Sequence, residues 1–278
     1  MTLDATRIAL DKLDARLRIL LPEQYQESYE TVRPVSMGSA GLKFAADGQV
    51  AWDEIWQTFC DLAMAGGPPH KGALLAPGDP AAIAADQAAF DAVAEEICRG
   101  IWLAADLPAR VDTRPGWVRV HCHNTTMADW LMRAIVMENV AARSSGVMLY
   151  LPAAPHFRIE KEIKNVVTVI AKTAHYWMGH MSRSQKTLIA DLFRTMSMES
   201  PLIEPPIDGW STWRGVECAS VAAAVWMTRA LVAFNVVSRR EQLTLLVPIN
   251  EEQDPGGTIV ARATARVQQL EGLKGLTA

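Results

Sequence analysis

His121-Cys122-His123 is the segment whose residue types and spacing most directly suggest chemistry. Side chains alternate along an extended strand, so His121 and His123 are expected on one face and Cys122 on the other. Two imidazoles so spaced can ligate one metal ion, a transition metal such as zinc, and donate their remaining N–H groups to outer partners. The same imidazoles suit proton transfer, and the Cys122 thiol between them suits a nucleophile. Cys122 is also readable as a small buried hydrophobe. His175 and His180 fall in one predicted helix. A spacing of five does not place them on one narrow helical face, so they are poor joint ligands, and either could join His121 and His123 singly. His175 is the further catalytic candidate.

A second set of residues suits an anionic ligand. Arg133 has Asp129 one turn earlier, an ordinary helical pair. Arg229 has Val225 and Ala233 at those distances, so its guanidinium must meet a carboxylate such as Glu217, or a bound anion, from elsewhere. The loop Gly66-Gly67-Pro68-Pro69-His70-Lys71-Gly72 offers Gly67 for close backbone approach, His70 as a titratable group and Lys71 as a point charge. It is not a phosphate-binding GxxxxGK[ST] loop. Asp254–Thr258 joins a predicted strand to a helix, with Thr258 as the expected cap. The chain carries no GxGxxG, HExxH, CxxC or nucleophile-elbow pattern.

What positions these residues is a repeat. Residues 117–152 align without a gap to residues 213–248 at a constant offset of 96, and thirteen of 36 positions are identical. Ordinary composition supplies about two or three identities by chance. The shared residues include Trp117/Trp213, Cys122/Cys218, Arg133/Arg229, Asn139/Asn235 and Arg143/Arg239. Arg143 and Arg239 are expected to end helices, where a cation complements the dipole. The copies diverge where His121-Cys122-His123 becomes Glu217-Cys218-Ala219. A duplicated scaffold needs only one copy to keep reactive groups.

Each copy reads as strand, helix, strand, helix. Strands joined through a helix are usually parallel, with a right-handed crossover. The expected class is α/β, with duplicated β-α-β-α units over 117–180 and 213–272 sharing one sheet about a pseudo-two-fold axis, plus a mostly helical N-terminal third. The corresponding division is 1–110, 111–200 and 201–278. Helices are expected over Leu3–Leu21, Trp52–Ala65, Asp86–Leu103, Ile159–His180 and Ser184–Met196, with Asn124 capping the first repeat helix.

The bulk properties exclude some classes. The chain has 278 residues, half of them hydrophobic, which is ample for a large core. A net charge of -4 gives no basic footprint for nucleic acid. The acids Asp4, Asp11 and Asp14 interrupt the stretch that a signal peptide would keep apolar. Four cysteines without paired spacing suit free thiols in a reducing cytoplasm. Arg229 in the middle of the most apolar stretch, Ala219–Val237, argues against a membrane span. The expectation is an enzyme acting on a small anionic molecule, metal-dependent in one form, with its site at the carboxyl ends of the repeat strands. The alternative is a non-catalytic ligand-binding or assembly protein. Apolar helices and nine tryptophans are compatible with a homodimer.

Overall fold

Asn124 turns the chain from strand into helix: its side chain accepts a hydrogen bond from the Met127 amide at 2.9 Å. Ser220 does the same at the matching place in the second copy, accepting from the Ala223 amide at 3.0 Å. In both cases a short polar side chain satisfies an otherwise orphaned helix amide. The computed structural model describes residues 3–20, 42–54, 75–206 and 212–274. They divide into a middle unit (42–54 and 75–182) and a terminal unit (3–20, 183–206 and 212–274).

The middle unit begins with α2 (Pro80–Ala85) and α3 (Gln87–Ala105), α1 belonging to the terminal unit. It continues with β1 (Ala109–Val111), β2 (Trp117–His121), α4 (Thr125–Val136), β3 (Arg143–Ser145), β4 (Met148–Pro152) and α5 (Lys164–His175). The strand order is β1-β2-β4-β3, and every pairing is antiparallel. The helix α3 packs closely on α5 at Gly100, where an added Cβ would stand 2.6 Å from Val167 Cγ2. Val120, Cys122, Leu131, Leu149 and Ile170 are wholly buried. Burying each such aliphatic side chain is worth about 1.5–3 kcal/mol.

The terminal unit holds α1 (Leu3–Leu20), α6 (Arg183–Glu199), β5 (Trp213–Glu217), α7 (Val221–Ala233), β6 (Arg239–Glu241), β7 (Thr244–Pro248) and α8 (Thr258–Lys274). Its sheet runs β5-β7-β6, again antiparallel throughout. The stripe of Leu10, Leu13, Leu17 and Leu20 on α1 is buried, and α1 packs against α6, α7 and α8.

The protein therefore combines helices with small sheets, but the strands form two sheets and not one, and none of the repeat strands is parallel to its neighbour. The reason lies between the predicted helix end and the second strand. The helix α4 stops at Val136, and residues 143–145 form the extra strand β3, which turns at Gly146 (φ 57°) into β4. That one added strand reverses the direction of β4, so β4 returns antiparallel to β2. Arg143 and Arg239 consequently sit in strands β3 and β6 rather than at helix ends. Arg239 lies 5.0 Å from the Trp213 ring centroid and pairs with Glu241 at 3.2 Å.

The chain makes its reversals at Asn139 (φ 62°) and Asn235 (φ 58°), both left-handed. Asparagine tolerates that conformation better than most residues. The reversal presents the Asn139 carbonyl to the Leu75 amide (3.3 Å) and the Asn235 carbonyl to the Ile203 amide (2.8 Å). Both asparagines, 96 positions apart, thus serve the backbone in the same way. Among the described residues, no helix is long and apolar enough to cross a membrane.

Candidate functional site

The strand β2 ends at His121, so the alternation that would align His121 with His123 stops before His123 is reached. Both imidazoles are exposed, and Cys122 between them is wholly buried. Burial, with the nearby Asp129 carboxylate, pushes the Cys122 thiol up to about 12. A thiol so placed stays protonated at neutral pH, the opposite of what a nucleophile needs. Among the described residues, no group of three or more His, Cys, Asp and Glu side chains is placed to hold a metal ion.

Arg133 and Arg229 are both buried in their helices. The Arg133 Nη1 donates to the Asp129 carbonyl at 3.2 Å, while the Asp129 carboxylate accepts from Ser144 Oγ at 2.7 Å. Burial pushes the Arg229 guanidinium well below its usual value. Glu217, the acid considered for it, is exposed and accepts from Thr244 Oγ1 at 2.7 Å across β5 and β7. Gly67, His70 and Lys71 lie outside the described residues. In the Asp254–Thr258 segment the cap is Asp254 rather than Thr258. Its two carboxylate oxygens accept from the Ile259 and Val260 amides, each at 2.9 Å.

The structure brings together two groupings that motif spacing does not reveal. The first is in the middle unit. The helix α5 is continued by a π-helical turn, Tyr176–His180, in which the Met181 amide donates to the Tyr176 carbonyl at 2.9 Å. Five residues along an α-helix rotate a side chain by about 140°. A π turn instead closes its hydrogen bond over five residues and sets the fifth almost above the first. His175 Nε2 and His180 Nε2 accordingly meet at 3.0 Å. Burial, then the adjacent His180, lowers the pKa of His175. The Tyr176 ring stacks on His180 (6.1 Å between centroids) and on Trp130 (6.1 Å). The expectation that a spacing of five keeps the two imidazoles apart assumes α-helical geometry, which this turn does not have.

The second grouping is a cavity of about 380 Å³ inside the terminal unit. Its apolar wall comes from Met196 of α6, Ala233 and Phe234 at the end of α7, and Ile259 and Ala263 of α8. Arg16 of α1, Arg262 and Arg266 of α8 and Glu199 of α6 supply the charge. The Arg16 Nη2 donates to both Glu199 carboxylate oxygens at 2.5 Å, and Arg266 Nη1 donates to Gln269 Oε1 at 2.9 Å. Three guanidiniums against one carboxylate leave the lining cationic. Arg262 and Arg266, four apart, are on one helical face and legible as such. Their meeting with Arg16 depends on a fold that no local pattern shows.

No family model matches the chain, and neither a curated protein nor a solved structure matches it.

Proposed function

We propose that the protein is a non-catalytic binder of a small anionic molecule with an apolar body, held in the cavity of the terminal unit. The volume falls within the range of small-molecule sites, which are mostly apolar with a few placed polar groups. Guanidinium groups recognise carboxylate and phosphate in a forked geometry that a point charge cannot match. Among the described lining residues, Ser200 alone carries a hydroxyl, with no histidine or second acid in that lining, and its Oγ donates to the Pro201 carbonyl at 3.3 Å. This favours binding over catalysis.

We also infer that the two units are copies of one module, helix–strand–helix–hairpin–helix. Every shared strand has the same bounds at the offset of 96, and α3 and α6, like α5 and α8, fall at nearly that offset. That comparison carries the functional reading. The cavity arginines Arg262 and Arg266 stand where the middle unit has Val166 and Ile170, both wholly buried. Met196 stands where the middle unit has Gly100, the glycine that lets α3 close on Val167. One copy packs this place with aliphatic side chains, and the other leaves room and lines it with charge. Arg262 is exposed and Arg266 half-buried, so both guanidiniums stand at the open side of the cavity, where an anion can reach them from solvent.

The test is calorimetry and thermal shift with acetate and octanoate, chosen to share a carboxylate and differ in apolar body. Octanoate is expected to bind and raise the melting temperature, acetate to do so far less, and Arg262→Ala/Arg266→Ala to remove the effect. Equal responses to both anions, or an unchanged response in the double variant, would sink the reading.

A further inference from the structure

We propose that His175 and His180 form a two-imidazole site for a divalent late transition metal ion of the Ni(II) or Cu(II) kind, with water or a small anion completing the coordination. The argument begins with the π turn. A π turn is a rare interruption of a helix and is frequent at functional sites. Here its effect is to bring together two side chains that an α-helix would separate, and to do so through their metal-binding atoms. The matching helix of the terminal unit, α8, runs as α-helix through Lys274 and has Glu271 where the middle unit has His175. The pair is therefore particular to one copy.

The distance places both Nε2 atoms within reach of one ion. With metal–nitrogen bonds of about 2.0–2.1 Å, nitrogens held about 3.0 Å apart would subtend about 91–97° at the metal. That is the cis angle of square-planar or octahedral coordination and narrower than the tetrahedral angle that structural zinc prefers. Among the described residues no third His, Cys, Asp or Glu joins the two imidazoles, and water or a small anion would complete the coordination. His180 is exposed and His175 half-buried, which gives an ion a path from solvent. An added Cβ at Gly179 would come no nearer than 3.9 Å to His175 Cε1, so the turn leaves the imidazole room.

The protons balance without an added reagent. In the present contact one imidazole donates its Nε2 proton to the other. On metal binding the donor shifts that proton to Nδ1, both Nε2 lone pairs face the ion, and no net proton is lost from a neutral pair. The stack of Trp130, Tyr176 and His180 holds the His180 ring plane in place.

The experiment is titration of the untagged full chain with NiCl2, followed by calorimetry, and with CuCl2, followed by electron paramagnetic resonance. One saturable equivalent per chain is expected, with a two-nitrogen hyperfine pattern for copper. His180→Gln and His175→Gln should each lose that step. His121→Gln/His123→Gln should keep it, which separates the pair from the exposed histidines near the end of β2. Circular dichroism of His180→Gln checks folding, and because His180 is exposed no change is expected. No saturable step in the wild type, retention of the step in a folded His180→Gln variant, or its loss only in His121→Gln/His123→Gln would overturn the proposal.

Discussion

Lys172 of α5 and Glu138, just beyond α4, form an ion pair whose side chains are only 1% and 9% exposed. Burial raises the Glu138 carboxyl, and the Lys172 ammonium opposes that rise. Neither charge has a counterpart in the terminal unit, where the matching residues are Phe234 and Gln268. Removing one partner strands the other charge in the core. Lys172→Met or Glu138→Gln alone is expected to cost about 3–5 kcal/mol, whereas Lys172→Met/Glu138→Leu together should recover most of the loss. Urea denaturation of the three variants measures this. Additive losses in the double variant would show that the pair acts independently of mutual neutralisation.

The left-handed asparagines give a second prediction. Asn139→Ala and Asn235→Ala force an ordinary side chain into positive φ, at about 1–2 kcal/mol each. Asn139→Gly should lie nearer the wild type, because glycine adopts that conformation without steric cost. Asn235→Gly should still fall about 1 kcal/mol short of the wild type, since it loses the Asn235 Nδ2 bond to the Ser200 carbonyl at 2.9 Å. Equilibrium unfolding ranks the four variants, and equal effects of alanine and glycine would remove the backbone explanation.

Thiol reactivity offers a third. Burial, then Glu95, pushes Cys98 up to about 12, matching the rise at Cys122. Cys218 is half-buried and is also raised, first by burial. With iodoacetamide at pH 8, native protein should label at Cys218 well before Cys122, and Cys122 should label only when urea opens the fold. Peptide mass mapping reads the order. Rapid native labelling at Cys122 would contradict its burial.

Acid stability provides the fourth. Burial works to raise the Glu162 carboxyl, but the Arg158 amide (3.0 Å) and guanidinium outweigh it and hold it at about 2. A carboxyl depressed in the fold contributes stability above its unfolded value of about 4.3. That contribution is lost as pH falls through about 2. The melting temperature of the wild type should therefore fall more steeply between these values than that of Glu162→Gln. Parallel slopes would show that the Arg158 contacts do not favour the ionised form.

Local signals in the sequence carried much of the secondary structure. The Asn124 cap, the leucine stripe of α1 and the start of α3 at Asp86 all act through neighbours within one turn, and the structure places them as the pattern expects. The sheet arrangement was not legible, because it turned on residues 143–145 being a strand. Arg-Ser-Ser is a weak strand former and becomes one by pairing with β4. The His175–His180 meeting was hidden for a different reason. It depends on one helical turn having π geometry, which residue types alone do not specify. The arginine-lined cavity draws on α1, α6, α7 and α8, and such convergence exists only once distant segments have packed.

The burial of α1 within the terminal unit also sets an order of events during synthesis. Among the described residues, the helices it packs against most begin at Arg183, 163 residues after α1 ends at Leu20. At translation rates of about 5–20 residues per second, its leucine stripe stays unsheltered for roughly ten to thirty seconds. Residues 75–182 of the middle unit, by contrast, emerge as a continuous run whose pairings are with near neighbours. The nascent chain thus carries an exposed apolar helix while residues 75–182 can already fold, and a segment made earlier than them finds its place later.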